Sequence, residues 1–154
     1  MSYKNILLWL MVIIWIVIIF ILSAMPARES SSRSKLVIDK SMNIVTKITN
    51  RDISANDIKI IVNKVNPVFR KAMHVFVYFI LSILLLMALN TTNISRNKMY
   101  IMVILLCVIY AISDEYHQTM VLGRCGRLKD ILIDTGGSVI GLLLYLFIYS
   151  KRKI

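Results

Sequence analysis

Apolar residues in this chain gather into four long runs separated by polar stretches. Ile6 to Leu22 is 17 residues without a polar side chain. Ala72 to Leu89 is broken only by His74 and Ser82, and Met99 to Ile112 is a shorter run. Ile131 to Tyr149 carries Asp134, Thr135 and Ser138. A helix crosses the hydrocarbon core of a bilayer with about 20 residues, in a range of about 17–25. Three runs reach that length, and the third does so only by continuing through Asp114 to Gln118. The pattern predicts an all-α integral membrane bundle of four transmembrane helices, at about 5–24, 72–90, 99–118 and 130–150, forming one domain over 1–154. The first run exceeds the usual apolar stretch of a signal peptide and no small-x-small cleavage site follows it, so it reads as a retained helix.

Between the first two runs lies a long loop, about Met25 to Lys71. It opens on a Ser/Arg-rich stretch, Arg28 to Lys35, which reads as mobile. Two amphipathic stretches follow. Leu36 to Ile48 sets Val37, Ile38, Met42, Val45 and Ile48 near one helical face, and Ile58 to Val65 is similar. Short basic amphipathic helices of this kind lie in the headgroup plane. Pro67 stands just before the second apolar run, where the first turn of a helix accepts a proline.

Composition agrees with the pattern. The chain is 58% hydrophobic, against roughly 45–50% for an ordinary soluble domain, and its mean hydropathy is +0.73. The net charge is +11. No basic aromatic patch or nucleic-acid-binding motif accompanies that charge, so membrane lipids with anionic headgroups are the expected partners and nucleic acid is not. Orientation is contested within the sequence. With four spans, the first and third loops share one side and hold 13 Lys/Arg, against 6 on the side of the termini and the second loop. Counting positive charges therefore puts the long loop inside. The two cysteines build no disulfide framework: Cys107 falls within the third helix and Cys125 in a loop, at different depths. Tyr3, Trp9, Trp15, Tyr78, Tyr100, Tyr110, Tyr145 and Tyr149 serve as interface or core aromatics.

Candidate chemistry comes from charges at the ends of the apolar runs. Asp134 lies one turn inside the fourth, and an ionisable residue at membrane depth is costly enough to demand a partner or a use. Lys71, His74 and Tyr78 form a stripe at the start of the second helix, at offsets of three and four. Asp114, Glu115, His117 and Gln118 close the third helix. Asp130, Asp134, Gly137 and Gly141 form one stripe of the fourth, preceded by Arg124. Alternation of direction brings these helix ends to a single membrane face. Gly137-x-x-x-Gly141 permits close helix packing, which would turn Asp130 and Asp134 inwards. Arg124 and Lys71 are the expected partners of Asp134. Asp114, Glu115 and Arg124 read equally as a structural ion pair or as part of a site. His74, with Asp114 and Glu115, is the candidate for acid/base chemistry, though no nucleophile motif accompanies it. The spacing matches no tight zinc or calcium motif, so no metal and no cofactor are expected.

These motifs resemble the VanZ-like family of small bacterial integral membrane proteins. The matching residues are Ser23 with Pro26, then Lys71-x-x-His74-x-x-x-Tyr78-x-x-Leu81, Ser113-Asp114-Glu115-x-x-Gln118, Arg124, and Asp130-x-x-x-Asp134-x-x-Gly137-x-x-x-Gly141. They run in order over nearly the whole chain. The first loop is long and basic, and Asp134 stands where either Asn or Asp is expected. The resemblance implies a multi-pass protein of the cell membrane associated with low-level resistance to teicoplanin, a glycopeptide that binds cell-wall precursors. It also implies an N-terminus inside and the polar cluster outside, opposite to the charge count. The expected activity is binding of an anionic or lipid-linked envelope component, such as a lipid-linked cell-wall precursor. Lys71, His74, Tyr78, Gln118, Arg124, Asp130 and Asp134 would be its binding residues. The alternative is an enzyme acting on a polyprenyl- or phospholipid-linked substrate. A proton- or ion-coupled carrier would need more than four helices, hence an oligomer.

Overall fold

The computed structural model describes residues 3–49 and 53–151, of which 149–151 by backbone only. Arg51, Arg152 and Lys153 of the charge count, and the Tyr149 side chain, lie outside the described residues. Five helices and no strand make up the described chain: α1 (Tyr3–Ala24), α2 (Ala27–Thr49), α3 (Ala55–Leu89), α4 (Arg96–Gln118) and α5 (Leu128–Lys151). Four of them, α1, α3, α4 and α5, are long and apolar enough to cross a membrane. Many large apolar side chains on their outer faces are exposed, among them Ile13, Ile14, Ile109 and Leu143. In water such surfaces would be a liability; against lipid they are the solvated face.

The first loop departs from expectation. The Ser/Arg-rich stretch is helical, and α2 begins directly after Pro26. Within it the Ser32 hydroxyl bonds back to the Arg28 carbonyl at 2.9 Å. Tertiary contacts then hold α2 against α3. Ser34 Oγ donates to Asn66 Oδ1, and Asn66 Nδ2 donates to Ser31 Oγ at 2.9 Å. Ile38 and Val62 are buried beside this polar clamp.

The second amphipathic stretch is not a separate short helix. It is the first part of α3, whose 35 residues run unbroken through Pro67. Ser54 caps the start, its Oγ accepting from the Asn56 amide at 3.2 Å. At about 1.5 Å per residue α3 is roughly 50 Å long, well beyond the roughly 30 Å hydrocarbon core. Its leading turns, with Lys59, Lys64 and Arg70, therefore stand outside that core and carry α2 with them. Pro67 costs one backbone hydrogen bond inside the helix rather than sitting harmlessly at its start.

α3 is the hub: it packs on each of the other four helices, most extensively on α5. Tyr78, Leu81, Leu86 and Val103 are fully buried at the centre of the core. Two polar ties fix the middle of α1. Trp15 Nε1 donates to the Val77 carbonyl at 2.9 Å, and the Tyr110 hydroxyl donates to the Ile16 carbonyl at 2.8 Å. Cys107 is buried and Cys125 exposed, the difference in depth that their sequence positions imply.

The α3–α5 contact depends on two glycines. A Cβ at Gly137 would run into the backbone of Val75 itself, and one at Gly141 would meet Ser82 Oγ and the Phe79 carbonyl. At Gly136 nothing lies within 4 Å. Gly137→Ala should therefore destabilise the protein by about 1–3 kcal/mol, the usual cost of overpacking. Gly136→Ala should not destabilise it, and should gain up to about 1 kcal/mol from the better helix former. Thermal unfolding of the purified proteins in detergent checks both.

Candidate functional site

One end of the bundle collects the polar residues of α3, α4 and α5. Close approach of α5 at Gly137 turns the preceding turn inwards, so Asp134 is fully buried. Its neighbour is His74 on α3, with Nδ1 3.5 Å from Asp134 Oδ1. This differs from the expectation that Arg124 and Lys71 would pair with Asp134. The reason is the rotation of α3 about its axis. Lys71 is exposed and reaches only the first of two cavities at this end, whereas His74 and, one turn before it, Arg70 are less exposed and line both. Arg70, His74 and Tyr78 recur every four residues, a stripe present in the sequence beside the one read through Lys71.

Asp114, Glu115 and Gln118 are buried at the end of α4. The pairing anticipated directly between Arg124 and the carboxylates runs through Gln118. Its Nε2 donates to Asp114 Oδ2 at 3.0 Å and to Glu115 Oε1 at 3.1 Å, and its Oε1 accepts from Arg124 Nη1 at 3.0 Å. Arg124 also donates from Nε to the Met25 carbonyl at 2.9 Å and from Nη2 to the Leu22 carbonyl at 3.4 Å. One guanidinium thereby ties the end of α1 to the α4–α5 connection. Burial, and after it the like charge of Arg70, lower the Arg124 guanidinium from its ordinary value, but an arginine starts high enough to stay cationic. Glu115 Oε2 accepts the Arg127 backbone amide at 2.8 Å. Gly126 makes room for this turn, since a Cβ there would lie 2.7 Å from the Glu115 carbonyl.

Two cavities of about 270 Å³ each open at this end. The first is lined by charged groups of both signs, Arg70, Lys71, Arg124 and Arg127 together with Glu115, Asp130 and Asp134, and by Gln118. The second is mostly apolar, walled by Ile19, Leu22, Val37, Phe69, Met73 and Val77, with Ser23 and Asp114 among its polar groups. Arg70, His74 and Arg124 border both. Sequence reasoning singled out neither Arg70 nor this apolar wall, because each needs the α1–α2–α3 packing to be known.

The remaining expected residues separate by position. Tyr78 is fully buried, its ring 6.1 Å from that of Tyr110. Asp130 is partly buried in the polar cavity. His117 stands apart from His74: its ring packs on Phe20 of α1 with centroids 4.5 Å apart. The expectation of no metal rested on the lack of a local motif. In the fold, α3, α4 and α5 each present one ligand-type side chain, His74, Asp114 and Asp134, with donor atoms within 4.8 Å of one another. No spacing along the chain displays a site assembled one residue per helix.

The family model described as VanZ/LLP1 matches residues 8–149 of this chain, nearly its whole length. No curated protein and no solved structure matches it.

Arg124→Lys should lose the planar fork that reaches Met25 and Gln118 together. A loss of about 1–3 kcal/mol of stability is expected, read as a lower unfolding temperature at unchanged helix content. An unchanged temperature would show that a single charge suffices there.

Proposed function

The chain belongs to the VanZ/LLP1 family, and on that premise we propose that this multi-pass membrane protein binds an anionic, lipid-linked component of the cell envelope. The single observation that carries the reading is the pair of adjoining cavities, one lined by charged groups, one mostly apolar, with Arg70, His74 and Arg124 at their shared border. An amphiphile with a phosphate or carboxylate head needs such an arrangement. The head meets guanidinium groups that bind oxyanions in a bidentate manner, and the chain lies along aliphatic walls that exclude water. Gln118 and the carboxylates behind it hold Arg124 in place. Binding of a cell-wall precursor at this site would lower the access of a teicoplanin-type glycopeptide to it, which is how the protein would contribute to resistance.

The nearness of Asp134 to His74 favours a second reading. If the two close to hydrogen-bond distance when substrate binds, the carboxylate would orient the imidazole as a general base, which would make the protein an enzyme acting on a polyprenyl- or phospholipid-linked substrate. Turnover of such a lipid by the wild type, lost in His74→Gln with binding retained, distinguishes this from binding alone.

For the binding reading, Arg124→Ala should weaken capture of a polyprenyl phosphate by nanodisc-embedded protein by roughly tenfold or more, the scale for a lost charge-assisted contact. Neutral polyprenol should bind both proteins alike, and equal phosphate-lipid binding by both would refute it. In cells, Asp114→Asn, Glu115→Gln and Arg124→Ala, at equal membrane levels, should each raise glycopeptide susceptibility. No change in all three would remove the site from resistance. The binding role also places the cluster outside the cell. Cys125, exposed in the α4–α5 connection, should then react with a membrane-impermeant maleimide in intact cells; labelling only after lysis would place it inside.

A further inference from the structure

We propose that His74, Asp114 and Asp134 bind a divalent transition-metal cation of the zinc class between α3, α4 and α5. The three side chains place one imidazole nitrogen and two carboxylate oxygens within 4.8 Å of one another. A zinc ion takes ligands at about 2.0–2.2 Å, so small side-chain rotations close the donors onto one centre. Catalytic zinc sites commonly use three protein ligands and leave a position open. Here that position would face the cavities bordered by His74.

Burial supplies the independent argument. Asp134 is fully buried and Asp114 is 3% exposed. Of their four carboxylate oxygens, three have no hydrogen-bond partner, Asp114 Oδ1 and both of Asp134, and His74 Nδ1 has none either. The 3.5 Å between His74 Nδ1 and Asp134 Oδ1 is beyond a normal hydrogen bond. Two buried carboxylates with so few partners cost several kcal/mol per ion unless compensated. A divalent cation supplies the two missing positive charges and the missing partners together. By contrast Glu115, close by, has partners for both oxygens in Gln118 and the Arg127 amide. Unpartnered donors also continue around the cluster. The Tyr78 hydroxyl, one turn from His74 on α3, and Ser23 Oγ at the end of α1 are both buried without a partner.

The donor set selects the class of ion. One imidazole with two carboxylates suits zinc and its neighbours, whereas magnesium and calcium prefer all-oxygen shells with more ligands. The proposal does not depend on a lipid ligand, and it is tested with metal alone. Full-length protein lacking a polyhistidine tag, in nanodiscs, is stripped with chelator, equilibrated with Zn²⁺, desalted and measured for bound metal. About one Zn²⁺ per chain is expected for the wild type and for His117→Gln. Asp134→Asn and His74→Gln should lose at least about tenfold in affinity. Wild-type uptake no greater than that of Asp134→Asn would overturn the proposal. Should the variants fail to fold, Co²⁺ added to the wild type decides alone. A visible absorption band displaced by Zn²⁺ supports the site, and its absence refutes it.

Discussion

The backbone contact between α5 and α3 at Gly137 is the constraint from which the rest follows. A side chain at that position would occupy the space of the Val75 backbone. Because α5 comes this close, the turn before Gly137 is drawn into the bundle and Asp134 is taken out of any solvent. The same contact fixes the rotation of α3, which turns Arg70, His74 and Tyr78 inwards and leaves Lys71 exposed at the edge of one cavity. An apolar bundle has no hydrophobic driving force within lipid, so backbone proximity and polar contacts must hold its helices together. α3 is the member that touches every other helix, and its rotation therefore sets the environment of all three helix ends at the site.

What collects at that end is a graded polar region. At the outer rim, Arg124 and Gln118 form a satisfied network that ties α1, α4 and the α4–α5 connection together. Deeper in, Asp114, Asp134 and His74 are buried with several donors and acceptors unpaired. Structural polar groups in proteins are normally satisfied, and the contrast between a complete rim and an incomplete centre is the observation on which the proposed cation site rests. The flanking cavities give it access from a charged side and an apolar side. An anionic amphiphile and a divalent cation are complementary there. The first would be held by the rim, and the second would compensate the carboxylates of the centre.

Much of this was legible in the sequence. The four spanning helices follow from the length of apolar runs, which the bilayer fixes independently of packing. That α4 continues through Asp114 to Gln118 follows from the same length requirement. Alternation of direction is enough to bring His74, Asp114, Glu115, Arg124 and Asp134 to one end. The sequence was silent where packing decides. The helicity of the Ser/Arg-rich stretch depends on Asn66 meeting Ser31 and Ser34 across two helices. The choice of His74 over Lys71 as the neighbour of Asp134 is a matter of helix rotation, and two stripes only 100° apart per residue cannot be ranked from periodicity. A ligand set with one residue from each of three helices has no local spacing to recognise.

Whether residues of separate helices act at this end as one unit is decided by a double-mutant cycle between His74→Gln and Asp134→Asn, read as unfolding free energy in bicelles under identical metal and buffer conditions. If the two groups share one site, the double variant departs from the sum of the single effects by at least about 1 kcal/mol. Simple additivity, within about 0.3–0.5 kcal/mol, would mean that the two side chains do not act together and would contradict the account.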